Sequence, residues 1–543
     1  MKKIYIIALL SLLLSCSVRM DREAQMITES LTLEEKIGQL LMFAVPGQSI
    51  NKENRMLIEK YLPGGIILFG FNVSEEDNLP VFIQELQGIA IDKYAIPMFV
   101  STDQEGGRVI RIKRGVTPFP GNLAAGISGN YKDIEKMAAV TGMELRKIGV
   151  NMNLAPVLDV NNNPSNPVIN SRSFGSDPHV VAKAGAAYIK GLQGSGCIAV
   201  GKHFPGHGDT EADSHHVLPV ISHDMSRLRE VELRPFAEAV KNKVEGIMSA
   251  HIHYPAIIDD DKPATLSDYF MTKLLREEMK FKGIVMTDDL EMNAVAGKMD
   301  LGSAALESFL AGSDIILVST YGKNIPVIYE ALLNAAREGI ISSERLDDSV
   351  SRIIELKLRY NVAGYNKEEG RIYQSDFQYS EKSKKILEQA ESINSSISRG
   401  AIYYSGTGDL YKKKKDEKRI YVSSNRSFRE NLSLRQGDRL IYSADEIKSG
   451  SGEKNLEHTT VVLQTYRINR SYAENLNRRI KRSGGNFMIL YSGNPFDLAG
   501  WNSDIPVLFT FSFTDESMKQ AASVLNGEFS PLLKINCKTG FRD

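Results

Sequence analysis

The stretch Lys202–Pro219, KHFPGHGDTEADSHHVLP, gathers lysine, imidazole and carboxylate side chains directly after the apolar run Cys197–Gly201. Asp213 stands two residues before His215. A carboxylate so placed can accept a hydrogen bond from one ring nitrogen and leave the other free to exchange a proton with a substrate. Proline lacks the amide proton and glycine is entropically costly in a helix, so Pro205, Gly206 and Gly208 make this segment a loop, where catalytic groups tend to sit. A second constellation is the run Gly283–Met292, in which an apolar strand ends in the paired carboxylates Asp288 and Asp289. A strand-end aspartate is well placed to attack a substrate carbon. Asp288 and Glu291 also have the spacing of a capping box, and one aspartate can cap while the other does chemistry. His203, His207, Asp209, Asp213, His215 and His216 are zinc-ligand types. The H-x-x-x-H of His203 and His207 needs a helix to align its rings, and Pro205 and Gly206 break it, so no metal is expected.

These groups must be positioned by a scaffold. Short apolar runs at Gly65–Phe69, Met98–Thr102, Met152–Leu158, Cys197–Lys202, Gly246–His251, Gly283–Thr287 and Asp314–Val318 alternate with amphipathic stretches such as Val180–Leu192 and Leu228–Val240. That alternation predicts a parallel sheet with helices outside it, and seven or eight such units favour an eight-fold (β/α) barrel of the TIM type. Barrel active sites lie at the C-terminal ends of the strands. Asp103, Asp159, Lys202 with His203, His251 and Asp288 all fall at such ends. A helix over Ser343–Arg359, capped by Ser342 or Ser343, closes this unit. Further strand-like runs at Ile420–Ser423, Leu440–Tyr442, Val461–Leu463, Phe487–Leu490 and Val507–Phe511, with helical stretches at Tyr472–Lys481 and Glu516–Leu525, predict a smaller α/β domain without comparable chemistry. The expected division is a barrel over 31–363, a connection over 364–385 and an α/β sandwich over 386–543.

Composition sets the remaining bounds. The chain has 543 residues, 42% hydrophobic and 24% charged, with a formal net charge of −1, so no global field attracts nucleic acid. The Lys412–Lys415 run, followed by Asp416 and Glu417, reads as a solvated turn. Lys2 and Lys3, the apolar run Ile4–Leu14, then Ser15 and Cys16 form a signal-peptide pattern too short for a membrane span. Its end resembles a bacterial lipobox, which predicts a signal segment over 1–16, lipidation at Cys16, a tether over 17–30 and a location in the cell envelope. With only Cys197 and Cys537 remaining, a disulfide scaffold is excluded.

The motifs Asp103–Arg108, Asn153–Asp159, Arg172–Gly175, Lys202–Asp209, Asp213–His215 and Thr287–Asp289 occur in that order. Together they resemble the β-N-acetylglucosaminidases of glycoside hydrolase family 3. Ser492–Leu498 and Gly527–Ile535 resemble, more loosely, the α/β sandwich that follows the barrel in two-domain members. The resemblance implies a retaining exo-β-N-acetylglucosaminidase acting on cell-wall or related oligosaccharides, without a cofactor. Asp288 would be the nucleophile and His215 the general acid/base, oriented by Asp213. Asp103, Arg111, Arg172, Lys202 and His203 would bind the sugar. Most retaining glycosidases use two carboxylates, and an imidazole acid departs from that rule. The alternatives are a family 3 β-glucosidase, which usually takes its acid from the second domain, a phosphorolytic relative, and a non-catalytic sugar-binding lipoprotein.

Overall fold

Eight short runs, β1 (Leu41–Ala44), β2 (Gly65–Leu68), β3 (Phe99–Thr102), β4 (Met152–Asn153), β5 (Ile198–Phe204), β6 (Gly246–Ser249), β7 (Ile284–Met286) and β8 (Ile316–Val318), pair in parallel in the order β8-β1-β2-β3-β4-β5-β6-β7. A Met286–Ile315 bridge, with Thr287 N donating to Ile315 O at 3.0 Å, joins the two ends and closes the barrel. All residues of these strands are buried, which explains why they read as continuous apolar runs rather than alternating ones. The computed structural model describes residues 20–73, 78–214, 216–322, 324–362, 364–366, 371–373, 379–406, 409–436, 438–443, 456–467, 469–493, 495–498 and 504–532. The signal-like segment with Cys16, His215, Asn494, residues 533–535 and Cys537 lie outside the described residues.

Four local differences from the sequence expectation have physical reasons. Strand β1 follows the helix Leu33–Gln39 after one residue, so its apolar side chains merge with the helical period and no separate strand is legible. Strand β4 stops at Asn153, because the Ala155 amide turns back to the Asn153 carbonyl at 2.8 Å and Pro156, next in line, has no amide proton to resume the ladder; Val157 makes only an isolated bridge to Lys202. Strand β5 runs on to Phe204, so Lys202 and His203 are strand residues. The expected helix Leu228–Val240 is two helices, Met225–Glu230 and Leu233–Lys241, since the Pro235 ring cannot pack against the carbonyl four residues earlier in a continuous helix.

Residues 20–30, expected as part of a tether, are helical, and Ala24 and Ile27, three positions apart on one face, are buried in the barrel's core. The closing helix Ser343–Arg359 has Ser342 as its cap. It carries Arg352 to Asp314 at 3.1 Å; Asp314 also binds Arg276 and accepts from Val285 N at 2.9 Å, tying β7 to the approach to β8. Within the expected connection, Gly364–Asn366 and Arg371–Tyr373 pair antiparallel, and a helix spans Glu381–Leu387.

The second region forms a six-stranded sheet from β9 (Tyr403–Ser405), β10 (Lys418–Val422), β11 (Arg439–Ile441), β12 (Thr459–Thr465), β13 (Asn486–Tyr491) and β14 (Val507–Phe509), ordered β9-β14-β13-β12-β10-β11. Only β9 is antiparallel to its neighbour. Successive residues point to opposite faces. Val461, Phe487 and Ile489 join Leu123, Ala124 and Ile127 of the barrel helix Asn122–Ser128, whereas Val462, Met488 and Leu490 pack on the helix Asp515–Asn526. One sheet face is thus fastened to the barrel by a shared apolar core. In the lysine run, Lys412 pairs with Asp409 at 3.0 Å and the nearly buried Lys413 with Asp438.

Candidate active site

A pocket of about 270 Å³ opens at the C-terminal ends of the barrel strands. Asp103 and Glu105 reach it from the segment after β3, Lys202 and His203 from the end of β5, and Asp288 and Asp289 from the segment after β7. Arg111 comes from just beyond the hairpin Gln104–Gly106/Val109–Ile110, and Arg172 from the end of the short turn Asn170–Arg172. Strand and helix alternation in the sequence had placed Asp103, Lys202, His203 and Asp288 here, and the barrel brings them together with Arg111 and Arg172.

Charges in the pocket are organised around Glu105. Arg172 grips its carboxylate through Nε at 3.0 Å and Nη2 at 2.8 Å, and Lys202 Nζ lies 2.8 Å from it. Lys202 Nζ also donates to Asp103 at 2.7 Å, and Arg111 lies 3.5 Å from the other Asp103 oxygen. Burial alone would raise the Glu105 pKa, but Arg172 and Lys202 outweigh it and hold the carboxyl far below its usual range. The same two acids, Asp103 and Glu105, overcome burial and raise the Lys202 pKa. Bidentate guanidinium–carboxylate pairing fixes Arg172 in direction as well as charge. In the sequence Glu105 stands out only as part of the Asp103–Arg108 motif. Its side chain is 2% exposed, and the signal that could have found it is an acid two residues past a strand-end aspartate, opposite the cations at the end of β5.

Removing one partner of such a buried network leaves charges without compensation. Glu105→Ala is therefore expected to destabilise the fold by about 3–5 kcal/mol. Chemical denaturation of purified protein checks this; a loss under about 1 kcal/mol would mean that the pocket hydrates and the network is not holding it.

Asp159 organises the imidazoles. Its Oδ2 lies 2.7 Å from His203 Nδ1, and its Oδ1 accepts from the backbone amides of His203 at 3.2 Å and His207 at 2.7 Å. Against burial, which raises its pKa, His203 and the hydrogen bonds lower it, so Asp159 stays a carboxylate. With Nδ1–H given to Asp159, His203 turns Nε2 toward the Arg172 Nη2, 3.5 Å away. His207, which sequence reasoning weighed only as a metal ligand, is buried between the Thr210 hydroxyl at 2.9 Å from Nδ1 and the Ser214 hydroxyl at 3.0 Å from Nε2. It thereby pins Ser214, the residue between Asp213 and His215, onto the pocket wall. Asp213 itself is half-buried on this loop, its carbonyl accepting from the amides of His216 at 2.9 Å and Val217 at 3.1 Å.

Burial, followed by the proximity of His203, pushes the His207 pKa down to about 4. The sign follows from linkage: a histidine that titrates lower in the fold than in the unfolded chain stabilises the fold above its ordinary pKa of about 6.5, and that contribution is lost as pH falls toward 4. The expected loss across this window is about 3 kcal/mol. It is checked by comparing the pH dependence of urea unfolding in the parent chain and His207→Gln; parallel curves between pH 6.5 and 4 would contradict a buried neutral imidazole.

Asp288 and Asp289 differ in environment. Burial opposes ionisation of Asp288, but His203, His251, the Asp289 amide at 2.8 Å and Lys202 together lower its pKa and keep it a carboxylate. Burial dominates at Asp289 and pushes it up to about 6, although Ser319 N and Glu291 N donate to it at 3.0 and 3.1 Å. The capping-box alternative is not realised: Glu291 instead accepts from Thr320 N at 2.7 Å, and the next helix begins at Asn293. His251 is buried between the Thr265 hydroxyl at 2.8 Å and the Asp289 carbonyl at 2.9 Å, so it holds the β7 end in place. Of the zinc-ligand types, His203, His207 and Asp209 pair with other groups, Asp209 with His223 at 2.7 Å, and among the described residues no three His, Cys, Asp or Glu side chains converge on a metal position. The arrangement sets an ionised carboxylate, Asp288, opposite a wall of charge-assisted donors and acceptors.

Residues 32–356 match the Glycosyl hydrolase family 3 N terminal domain. The chain is 41% identical over 326 residues to Beta-hexosaminidase A of Pseudoalteromonas piscicida, a match covering 56% of this chain and 54% of that protein, so it spans about half that relative's length. It is 35% identical over 297 residues to Beta-hexosaminidase of Methylococcus capsulatus, covering 54% of this chain and 86% of that one. Among solved structures, a glycoside hydrolase family 3 beta-N-acetylglucosaminidase from Paenibacillus sp. superposes with a TM-score of 0.80 at 32% identity, over 94% of this chain and 100% of that one. A barrel with a carboxylate at the end of its seventh strand and a family match running the length of that barrel lead to one assignment: the chain belongs to glycosyl hydrolase family 3.

Proposed function

We propose that this chain is a retaining exo-β-N-acetylglucosaminidase releasing terminal N-acetylglucosamine from cell-wall-derived or related oligosaccharides. The observation that carries this reading is Asp288, kept ionised in the pocket at the strand ends and facing the Asp103–Lys202–Glu105–Arg172 network. A pocket of about 270 Å³ suits one terminal sugar, which fits exo action. Asp288 attacks the anomeric carbon, the bond to the leaving oxygen breaks, and His215 supplies the proton that oxygen needs. Water then attacks the glycosyl–Asp288 ester from the opposite face, giving its proton to His215, and two inversions leave the configuration unchanged. Asp103 accepts from sugar hydroxyls while Lys202, Arg172 and Arg111 donate to them, and binding that tightens as the ring flattens lowers the barrier. The names of the relatives above support an acetamido sugar as substrate.

Hydrolysis of paired aryl β-glycosides tests this reading. Strong preference for the N-acetylglucosaminide over the glucoside is expected, with free sugar and not sugar phosphate as product in phosphate buffer. Preference for the glucoside would make the chain a β-glucosidase, a sugar phosphate product would make it a phosphorylase, and binding without turnover would leave a sugar-binding protein. The signal-like segment ending in Cys16 supports a cell-envelope location with a lipid anchor, and hence a wall substrate. Fatty-acid labelling that persists in Cys16→Ser would contradict that anchor.

A further inference from the structure

Neighbouring barrel strands are joined by ladders except at one seam, between β7 and β8, which share only the Met286–Ile315 bridge. Asp288 stands at this seam, two residues past the end of β7. The backbone crosses the seam from Thr287 N to Ile315 O at 3.0 Å and from Leu290 N to Leu317 O at 3.2 Å. The other amides along β8 and just past it are taken by side chains. Leu317 N donates to Thr287 Oγ1 at 3.0 Å, Ser319 N to Asp289 Oδ1 at 3.0 Å and Thr320 N to Glu291 Oε2 at 2.7 Å. Thr287, Asp289 and Glu291 are alternate residues, and Asp288, between the first two, lines the pocket.

Asp289 is the middle rung of this side-chain ladder. Its Oδ1 accepts from Glu291 N at 3.1 Å as well as from Ser319 N, its Oδ2 takes the Ser319 hydroxyl, and its carbonyl meets His251 Nε2 at 2.9 Å. The main chain here is thus held from the end of β6 and the side chain from the end of β8. Asp288 has little hold of its own: among the described residues its carboxylate accepts one hydrogen bond, from Asp289 N at 2.8 Å. The placement of Asp289 N therefore sets the direction of the Asp288 carboxylate.

We infer that Asp289, with Thr287 and Glu291 as flanking rungs, is a positioning residue: these side chains replace the missing backbone ladder at the seam and, through Asp289 N, aim Asp288 at the anomeric carbon. The inference rests on the glycosidase reading with Asp288 as nucleophile. Attack needs the reacting atoms about 3–3.5 Å apart and aligned, and a displacement near 1 Å costs on the order of 10²-fold. The task requires an acceptor, not a proton. Asparagine at 289 presents an amide oxygen where Asp289 Oδ1 receives both backbone amides, and its nitrogen can donate to Ser319 Oγ.

Kinetics of the full chain on an aryl N-acetylglucosaminide test this. D289A is expected to lower kcat by about 10²-fold with KM within about threefold, and D289N to recover kcat to within about fivefold of the parent. D289A is then placed in the Asp288→Ala background, with azide as the attacking anion. The ladder does not aim azide, so the azide-dependent rate should agree within about twofold with and without D289A. A D289N loss as deep as that of D289A would give the carboxylate chemistry of its own, and a raised KM with kcat unchanged would make it a sugar contact. An equal fall in the azide-dependent rate would make it a general support of the pocket. Each of these overturns the positioning role, as does a kcat for D289A within about threefold of the parent. Where D289A does not fold, E291A carries the test from the outer rung, with a kcat loss of about tenfold that E291Q restores; no loss would overturn the ladder. A parent that hydrolyses no aryl glycoside, or an Asp288→Ala chain that stays active or is not rescued by azide, fails the glycosidase reading itself. Turnover abolished by Asp288→Ala and indifferent to D289A fails only this inference.

Discussion

Asp288→Ala is expected to lower kcat on an aryl N-acetylglucosaminide by on the order of 10⁴-fold or more, since loss of a covalent nucleophile removes the route rather than one contact along it. The fold should be retained. Among the described residues, Asp288 makes one hydrogen bond, accepting from its own chain neighbour Asp289 N, and in contrast with Glu105 it forms no ion pair with a Lys or Arg. The space left by the carboxylate adjoins His203 and Lys202, so a small anion such as azide should enter it and restore turnover, with a glycosyl azide of inverted configuration as product. Residual activity within tenfold of the parent, or no rescue together with an intact fold, would remove Asp288 from the role of nucleophile.

The second large effect concerns His215, where the expected outcome depends on the leaving group. His215→Ala should reduce kcat/KM by about 10²–10⁴ on a natural disaccharide, the usual range for a general acid, and far less on a dinitrophenyl glycoside that departs without a proton. Loss on both substrates to the same degree would show that His215 is not the acid. His207→Gln offers a useful contrast. It keeps a hydrogen-bonding side chain next to Ser214 but changes how the loop is held, so its effect on kcat should be much smaller than that of His215→Ala and should not vary with leaving-group pKa.

Much of the site was legible because the barrel fixes where chemistry can occur. Asp103, Lys202, His203 and Asp288 are polar residues of unusual type at strand ends, and a closed parallel sheet brings strand ends together whatever their separation in sequence. Arg172 stands in a family motif and Arg111 matches a sugar-binding position that the resemblance implies; neither stands on a strand, and nothing in local periodicity locates them. Glu105 and Asp159 were visible in those motifs, but their tasks were not. That Glu105 binds two cations and Asp159 holds two backbone amides depends on contacts between residues 44 to 97 positions apart, which spacing alone does not reveal. His207 was hidden for another reason: its chemistry invites a ligand reading, and only burial between two hydroxyls shows a neutral structural imidazole. In the fold, β1 was lost in the period of the preceding helix, and the helix over 20–30 was obscured by the signal-like run before it.

The central claim, a covalent glycosyl intermediate on Asp288, is met most directly by trapping. A 5-fluoro N-acetylglucosaminyl fluoride retains the acetamido group and slows both half-reactions by opposing positive charge on the ring, and its good leaving group lets the intermediate form faster than it hydrolyses. Mass spectrometry of the intact protein and of its peptides should then find one sugar per chain, on the peptide containing Asp288, and none in Asp288→Ala. Turnover without a protein adduct, or with release of a cyclised acetamido sugar, would contradict the account and make the substrate's own acetamide the nucleophile.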